Sequence, residues 1–158
     1  MRVEIFCLCE SVQVSADKSI HISGVFDCRY GERDPVRLRE FFVLLTMRFY
    51  KFDLGTYPFR FVMSNEAGKL LAGSDHNVVI EELETESQLY LMKFRMPSTT
   101  FRFGAYNFAL QNGPNTFASV PLYVKPLSDQ DKETNRCLQY DPMSSQPRLD
   151  PGRGRLSG

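Results

Sequence analysis

Apolar and polar side chains alternate along much of this chain with a period of two. In Tyr57–Ser64, Tyr57, Phe59, Phe61 and Met63 share one face. That period is the signature of a half-buried strand. Phe41–Tyr50 is a run of β-branched and aromatic residues, which also favours extended chain. The same reading predicts strands at Val3–Cys9, Ser19–Asp27, Asn77–Glu82, Gln88–Met96, Ala105–Gln111 and Phe117–Lys125, with a shorter one at Thr99–Phe103. Asp53-Leu54-Gly55 and Asn65-Glu66-Ala67-Gly68 read as turns that make a hairpin pair around Tyr57–Ser64. Asn112-Gly113-Pro114-Asn115 is a strong turn between the last two long strands. No segment carries a 3.6-residue apolar stripe. The nearest candidate, Asp34–Phe42 with Pro35 at its start, reads as a loop or a single turn.

About eight strands, with turns roughly every 8–12 residues, predict an all-β protein: an antiparallel β-sandwich of Ig-like or C2-like architecture. Gly104-Ala105-Tyr106 fits the entry to a strand at a sandwich corner, where a tyrosine hydroxyl bonds back to the nearby backbone. An ordinary strand that opens on an aromatic residue is the other reading. No internal repeat suggests a propeller or solenoid.

Aromatic content places the domain boundary. Of 13 Phe and 7 Tyr, only Tyr140 lies beyond residue 126. A segment so poor in large apolar groups cannot offset the entropy of ordering itself. The expected organisation is therefore a β-sandwich domain over 1–126 and a flexible tail over 127–158. A short helical turn at 129–136 is the one element that tail would allow.

Charge narrows the function. Nineteen basic and 19 acidic side chains cancel, which disfavours a general nucleic-acid binder or a polybasic membrane-surface protein. No run of about 18 apolar residues is present, so no membrane span is expected. The opening Met1–Glu10 does not read as a signal peptide. Four cysteines, Cys7, Cys9, Cys28 and Cys137, suit a reducing, cytoplasmic setting.

No catalytic constellation stands out. Ser74, Asp75 and His76 are consecutive, and a triad is an arrangement in space rather than in sequence. Cys7 and Cys9 share strand parity with Val3 and Ile5, which reads as buried core thiols. A zinc site completed by Cys28 and His21 is the sharper alternative. Glu81, Glu82, Glu84 and Glu86 near Asp75 read as a solvated strand end rather than a calcium site. Lys93-Phe94-Arg95 and Phe101-Arg102-Phe103 interleave basic and aromatic residues, as single-strand binders do. Alternation nevertheless turns Phe101 and Phe103 away from Arg102, and Arg48 and Arg60 would add to the outer surface. No catalytic residue, metal ligand, cofactor or cofactor-binding residue is assigned.

Val3–Ser11, followed by Lys18-Ser19-Ile20-His21-Ile22-Ser23-Gly24-Val25-Phe26-Asp27, resembles a bacterial family of small proteins known only as a domain of unknown function. Gly55, the Asn65–Gly68 turn, Gly104-x-Tyr106 and Pro121-Leu122-Tyr123-Val124 also fit, so the resemblance spans about residues 1–125. Where that family has a more acidic, Ala-containing stretch, this chain has Ser11-Val12-Gln13-Val14. The resemblance implies a β-sandwich and a bacterial, cytoplasmic setting, and it implies no activity. The leading expectation is a non-enzymatic module acting through protein contacts, with a protein partner or self-association at an exposed edge strand. The alternative is a ligand-binding or catalytic sandwich with its site in the loops at Cys28–Glu40 and Gly73–Asn77.

Overall fold

The computed structural model describes residues 1–83 and 85–128. Met1–Pro126 segregates as one compact unit, distinct from Leu127–Gly158. The expected tail and its helical turn lie outside the described residues from 129 onward.

All regular structure among the described residues is strand. The order is β1 (Arg2–Cys9), β2 (Ser11–Val14), β3 (Ile20–Ser23), β4 (Cys28–Gly31), β5 (Val36–Leu38) and β6 (Phe41–Tyr50). It continues with β7 (Gly55–Asn65), β8 (Leu70–Ile80), β9 (Ser87–Met96), β10 (Thr99–Phe101), β11 (Gly104–Asn112) and β12 (Asn115–Pro126). Twelve strands replace the expected eight or so. The extra ones, β2, β4 and β5, are three or four residues long. Such pieces are too short to display a period. Asp34–Phe42, read as a loop or turn, contains β5, which follows a cis Asp34–Pro35 bond.

Five strands form one sheet in the order β4-β12-β11-β7-β8, and three form another in the order β1-β6-β9. Two small ribbons, β2-β3 and β10-β5, complete the set. Every pairing is antiparallel except β4 with β12, which is parallel. The predicted hairpin between Phe41–Tyr50 and Tyr57–Ser64 does not form. β6 and β7 belong to different sheets, and Asp53–Gly55 carries the chain between them. The chain does turn at these residues, but a turn does not dictate which partner the next strand takes. The second hairpin, β7 with β8, does form. Gly68 (φ +75°) supports its turn, and its amide donates to the Asn65 carbonyl at 2.9 Å.

The two larger sheets share one interior. Leu8 from β1 and Phe41 and Val43 from β6 cluster with Phe61, Phe108, Leu122 and Val124 from the five-stranded sheet. A second cluster joins Leu45, Met47 and Phe49 to Phe59, Val78, Ile80 and Leu110. Phe61 and Phe94 stack across the layers with centroids 4.4 Å apart. Each fully buried Leu or Phe contributes roughly 1.5–3 kcal/mol by leaving water, so the side chains facing this interior dominate stability.

The expected corner is present. The amide of Arg102 donates to Tyr106 Oη at 3.0 Å, and that hydroxyl donates to the Arg102 carbonyl at 3.1 Å. Gly104 takes φ +142° between them, a backbone region that side chains disfavour. Phe101 meets the Tyr106 ring edge-on at 4.9 Å, which ties the corner to the core.

Candidate functional site

An edge strand presents unpaired N–H and C=O groups along its outer side, so the way each sheet ends decides where another chain can attach. The five-stranded sheet ends on one flank at β8, an eleven-residue strand with Val78 and Ile80 in the core. Its first half, Leu70–Asp75, is exposed at every position. Leu70, Leu71 and Val79 remain 49%, 43% and 51% exposed. β8 contains no Lys, Arg or Pro, the residues that commonly blunt an edge. Its one irregularity is a bulge at Leu71, where the register with Met63 and Ser64 shifts. From Ala72 to Ile80 the ladder with β7 is regular.

Two side-chain pairs decorate β8. On one face Ser74 Oγ and His76 Nε2 lie 2.7 Å apart, and the His76 ring stacks on Phe59 and meets Phe94 edge-on. On the other face Asp75 sits 3.7 Å from Arg60 Nε. The contact of His76 with Phe94 places β8 opposite β9, the end of the three-stranded sheet, on the same flank. β9 is better guarded. Lys93 lies over the Phe42 ring, and Arg95 bonds Glu40 at 2.6 Å.

The opposite flank is bridged between the sheets near the end of β1. Phe26 bridges to Leu8 of β1, its amide donating to the Leu8 carbonyl at 3.1 Å. Arg29 covers the Phe26 ring at 3.6 Å and bonds Glu10 at 2.7 Å. β4, the end of the five-stranded sheet on this flank, is only four residues long. A cavity of about 400 Å³ lies here, lined by Arg29, Tyr30, Arg37, Arg39, Glu40 and Phe41 among others. It includes part of the predicted Cys28–Glu40 loop. The other predicted loop, Gly73–Asn77, is not a loop at all, since it lies inside β8. Alternation there is masked by Gly73 and by polar residues on both faces. Another exposed apolar point, Phe52 and Leu54, sits in the β6–β7 link and offers side chains without an open ladder.

The residues singled out from sequence scatter across this framework. Cys9 is fully buried and Cys7 partly so. Burial pushes the Cys9 thiol up to about 11, with the neighbouring Cys7 adding to the shift, and burial also raises Cys7. Both are therefore protonated near neutrality and poor nucleophiles or ligands. Their parity with Val3 is broken by a bulge at Glu4. Val3 packs into the core between the sheets, while Cys7 and Cys9 pair beside Leu44 and Phe42 on the other face of β6's sheet. Hairpin β2-β3 touches β6 as well. His21 is exposed on β3, and no group of three His, Cys, Asp or Glu among the described residues could hold a metal ion. Glu84 lies outside the described residues. Glu86 pairs with Lys51, and Asp75 pairs with Arg60.

Phe101 is buried, Phe103 packs against the core and Arg102 is exposed. Of the consecutive Ser74, Asp75 and His76, the structure brings Ser74 and His76 within hydrogen-bond distance on one face. Asp75 points to the opposite side of the strand, and no carboxylate among the described residues bonds His76. The group that orients the base in a triad is thus missing.

No helix among the described residues is long and apolar enough to cross a membrane. Residues 4–125 match a family model described as a family of unknown function, DUF6941, and the chain belongs to that family. The resemblance drawn from the first strands thus holds at the level of a family without a known function. No curated protein and no solved structure matches the chain.

Proposed function

We propose that this member of DUF6941 is a non-enzymatic β-sandwich of Ig-like type that acts through protein contacts, taking an extended segment of a partner onto the open edge of β8. The shared interior of the two larger sheets and the Tyr106 corner support the sandwich. One observation carries the contact reading: β8 is long, apolar at both ends, exposed along its first half and unguarded by Lys, Arg or Pro. Strand addition supplies main-chain hydrogen bonds along such an edge, and alternate side chains supply selectivity. Cys7, Cys9 and Cys28 are free thiols, which fits a reducing, cytoplasmic setting.

The test is selection of extended peptides from a display library on the purified protein, followed by residue-resolved mapping of the contact. Selected sequences should alternate apolar residues and protect the amides of β8. Ligands that map instead to the cavity beside Arg39 would overturn this reading. They would favour the second one, a small-molecule site, which the mixed charge and aromatic lining of that 400 Å³ cavity supports.

A further inference from the structure

We infer that the segment taken up by β8 is β8 of a second copy, the two strands pairing antiparallel about a two-fold axis at Asp75. This rests on the proposed role of the β8 edge and names its partner.

An antiparallel edge-to-edge dimer has its two-fold axis perpendicular to the sheet, so residues facing each other point to the same side. Because side chains alternate, facing residues must be an even number of positions apart, and the axis must pass midway between the two copies of one residue. Centred on Asp75, the sequence of β8 is a palindrome in polarity. From the bulge onward, Leu71 faces Val79 of the second copy and Ala72 faces Val78. Gly73 then faces Asn77, and Ser74 faces His76. Moving the axis to Ser74 sets Leu71 against Asn77 and Ala72 against His76. Moving it to His76 sets Ser74 against Val78 and Gly73 against Val79. Only the Asp75 register matches apolar with apolar throughout, and it covers exposed Leu71 and Val79 twice each. The bulge at Leu71 marks the end of the regular part of this ladder.

The register has one unfavourable pair, Asp75 facing Asp75, and like charges directly opposite destabilise a ladder. Arg60 sits 3.7 Å from each Asp75, so the row reads Arg60, Asp75, Asp75, Arg60 and its charges alternate except at the axis. The dimer is therefore tunable at that one position.

Sedimentation equilibrium of the full chain across the micromolar range tests this. A reversible dimer is expected, weakened at least about tenfold in the Leu71→Lys/Val79→Lys double variant. Urea unfolding verifies that this variant remains folded. Asp75→Asn should tighten the dimer by about two- to fivefold by removing the facing charges. Asp75→Lys should be monomeric alone yet form a heterodimer when mixed with the unaltered chain, because the introduced ammonium then faces the carboxylate of Asp75. A monomer at every concentration overturns self-pairing and leaves the peptide-selection test of the β8 edge standing. A dimer indifferent to both the double variant and the charge exchange overturns self-pairing through β8 and counts against β8 as the contact edge.

Discussion

The two flanks of this molecule end their sheets in different ways. On the β1/β4 flank the end strands are eight and four residues long, bridged by Phe26 and capped by the Arg29–Glu10 pair. On the β8/β9 flank one eleven-residue strand runs open, with leucines and a valine left in water. Both flanks belong to sheets that share the same interior, so core packing does not explain the contrast. What differs is how each edge is finished. Covering edges with loops and charges is the usual defence against unwanted pairing, and β8 has little of it. The proposed strand addition belongs to the longer and less guarded of the two edges.

The contrast can be broken first at the bridged flank. Leu8→Ala, at a fully buried position of β1, should cost about 2–5 kcal/mol in urea unfolding. A loss well under 1 kcal/mol would mean that Leu8 is not packed in the shared interior as described. Alkaline pH comes next. The unfolded Cys9 thiol ionises near its ordinary value of 9.0 and the folded one near 11, so burial contributes fully below pH 9. Stability should then fall as pH rises from about 9 to 11, by at most about 2–3 kcal/mol, with Cys9→Ala reducing that slope and leaving the part that comes from Cys7.

Tyr106→Phe removes both hydrogen bonds at the Arg102 corner and should cost about 1–2 kcal/mol. Glu10→Gln, which breaks a partly exposed ion pair with Arg29, should cost only about 0.2–1 kcal/mol. Val79→Ala, on the open flank, should stay within about 0.5 kcal/mol of the unaltered chain when measured on monomer. A large loss there would show that Val79 serves stability rather than contact.

Much of this was legible in the sequence wherever a strand is long and its neighbours are uniform. Phe41–Tyr50 has the observed bounds of β6, and Asn112–Asn115 makes the β11–β12 turn, with Gly113 at φ +55° in the position a tight hairpin requires. Pairing was less legible. Asp53–Gly55 announces a turn, but only the competition among strands for the interior decides that β7 joins the other sheet. Period is also lost where a single residue is added. The bulge at Glu4 places Val3 and Cys7 on opposite faces, which no count of alternation could foresee. The same limit hid half of the candidate site. Leu70–Asp75 is exposed on both faces, so it carries no alternation that would mark it as strand. Ser74 and His76 therefore have the sequence character of loop residues, although they lie side by side on an edge.

Residue-resolved amide hydrogen exchange, recorded on dilute and on concentrated protein, probes the open edge most directly. Alternate amides of Ala72–Ile80 should exchange quickly when dilute and become protected as concentration rises, while exchange along β1, fast or slow, should be the same at both. Uniform protection along β8 at every dilution, or protection that grows at β1 and β4 instead, would contradict the assignment of β8 as the contact edge.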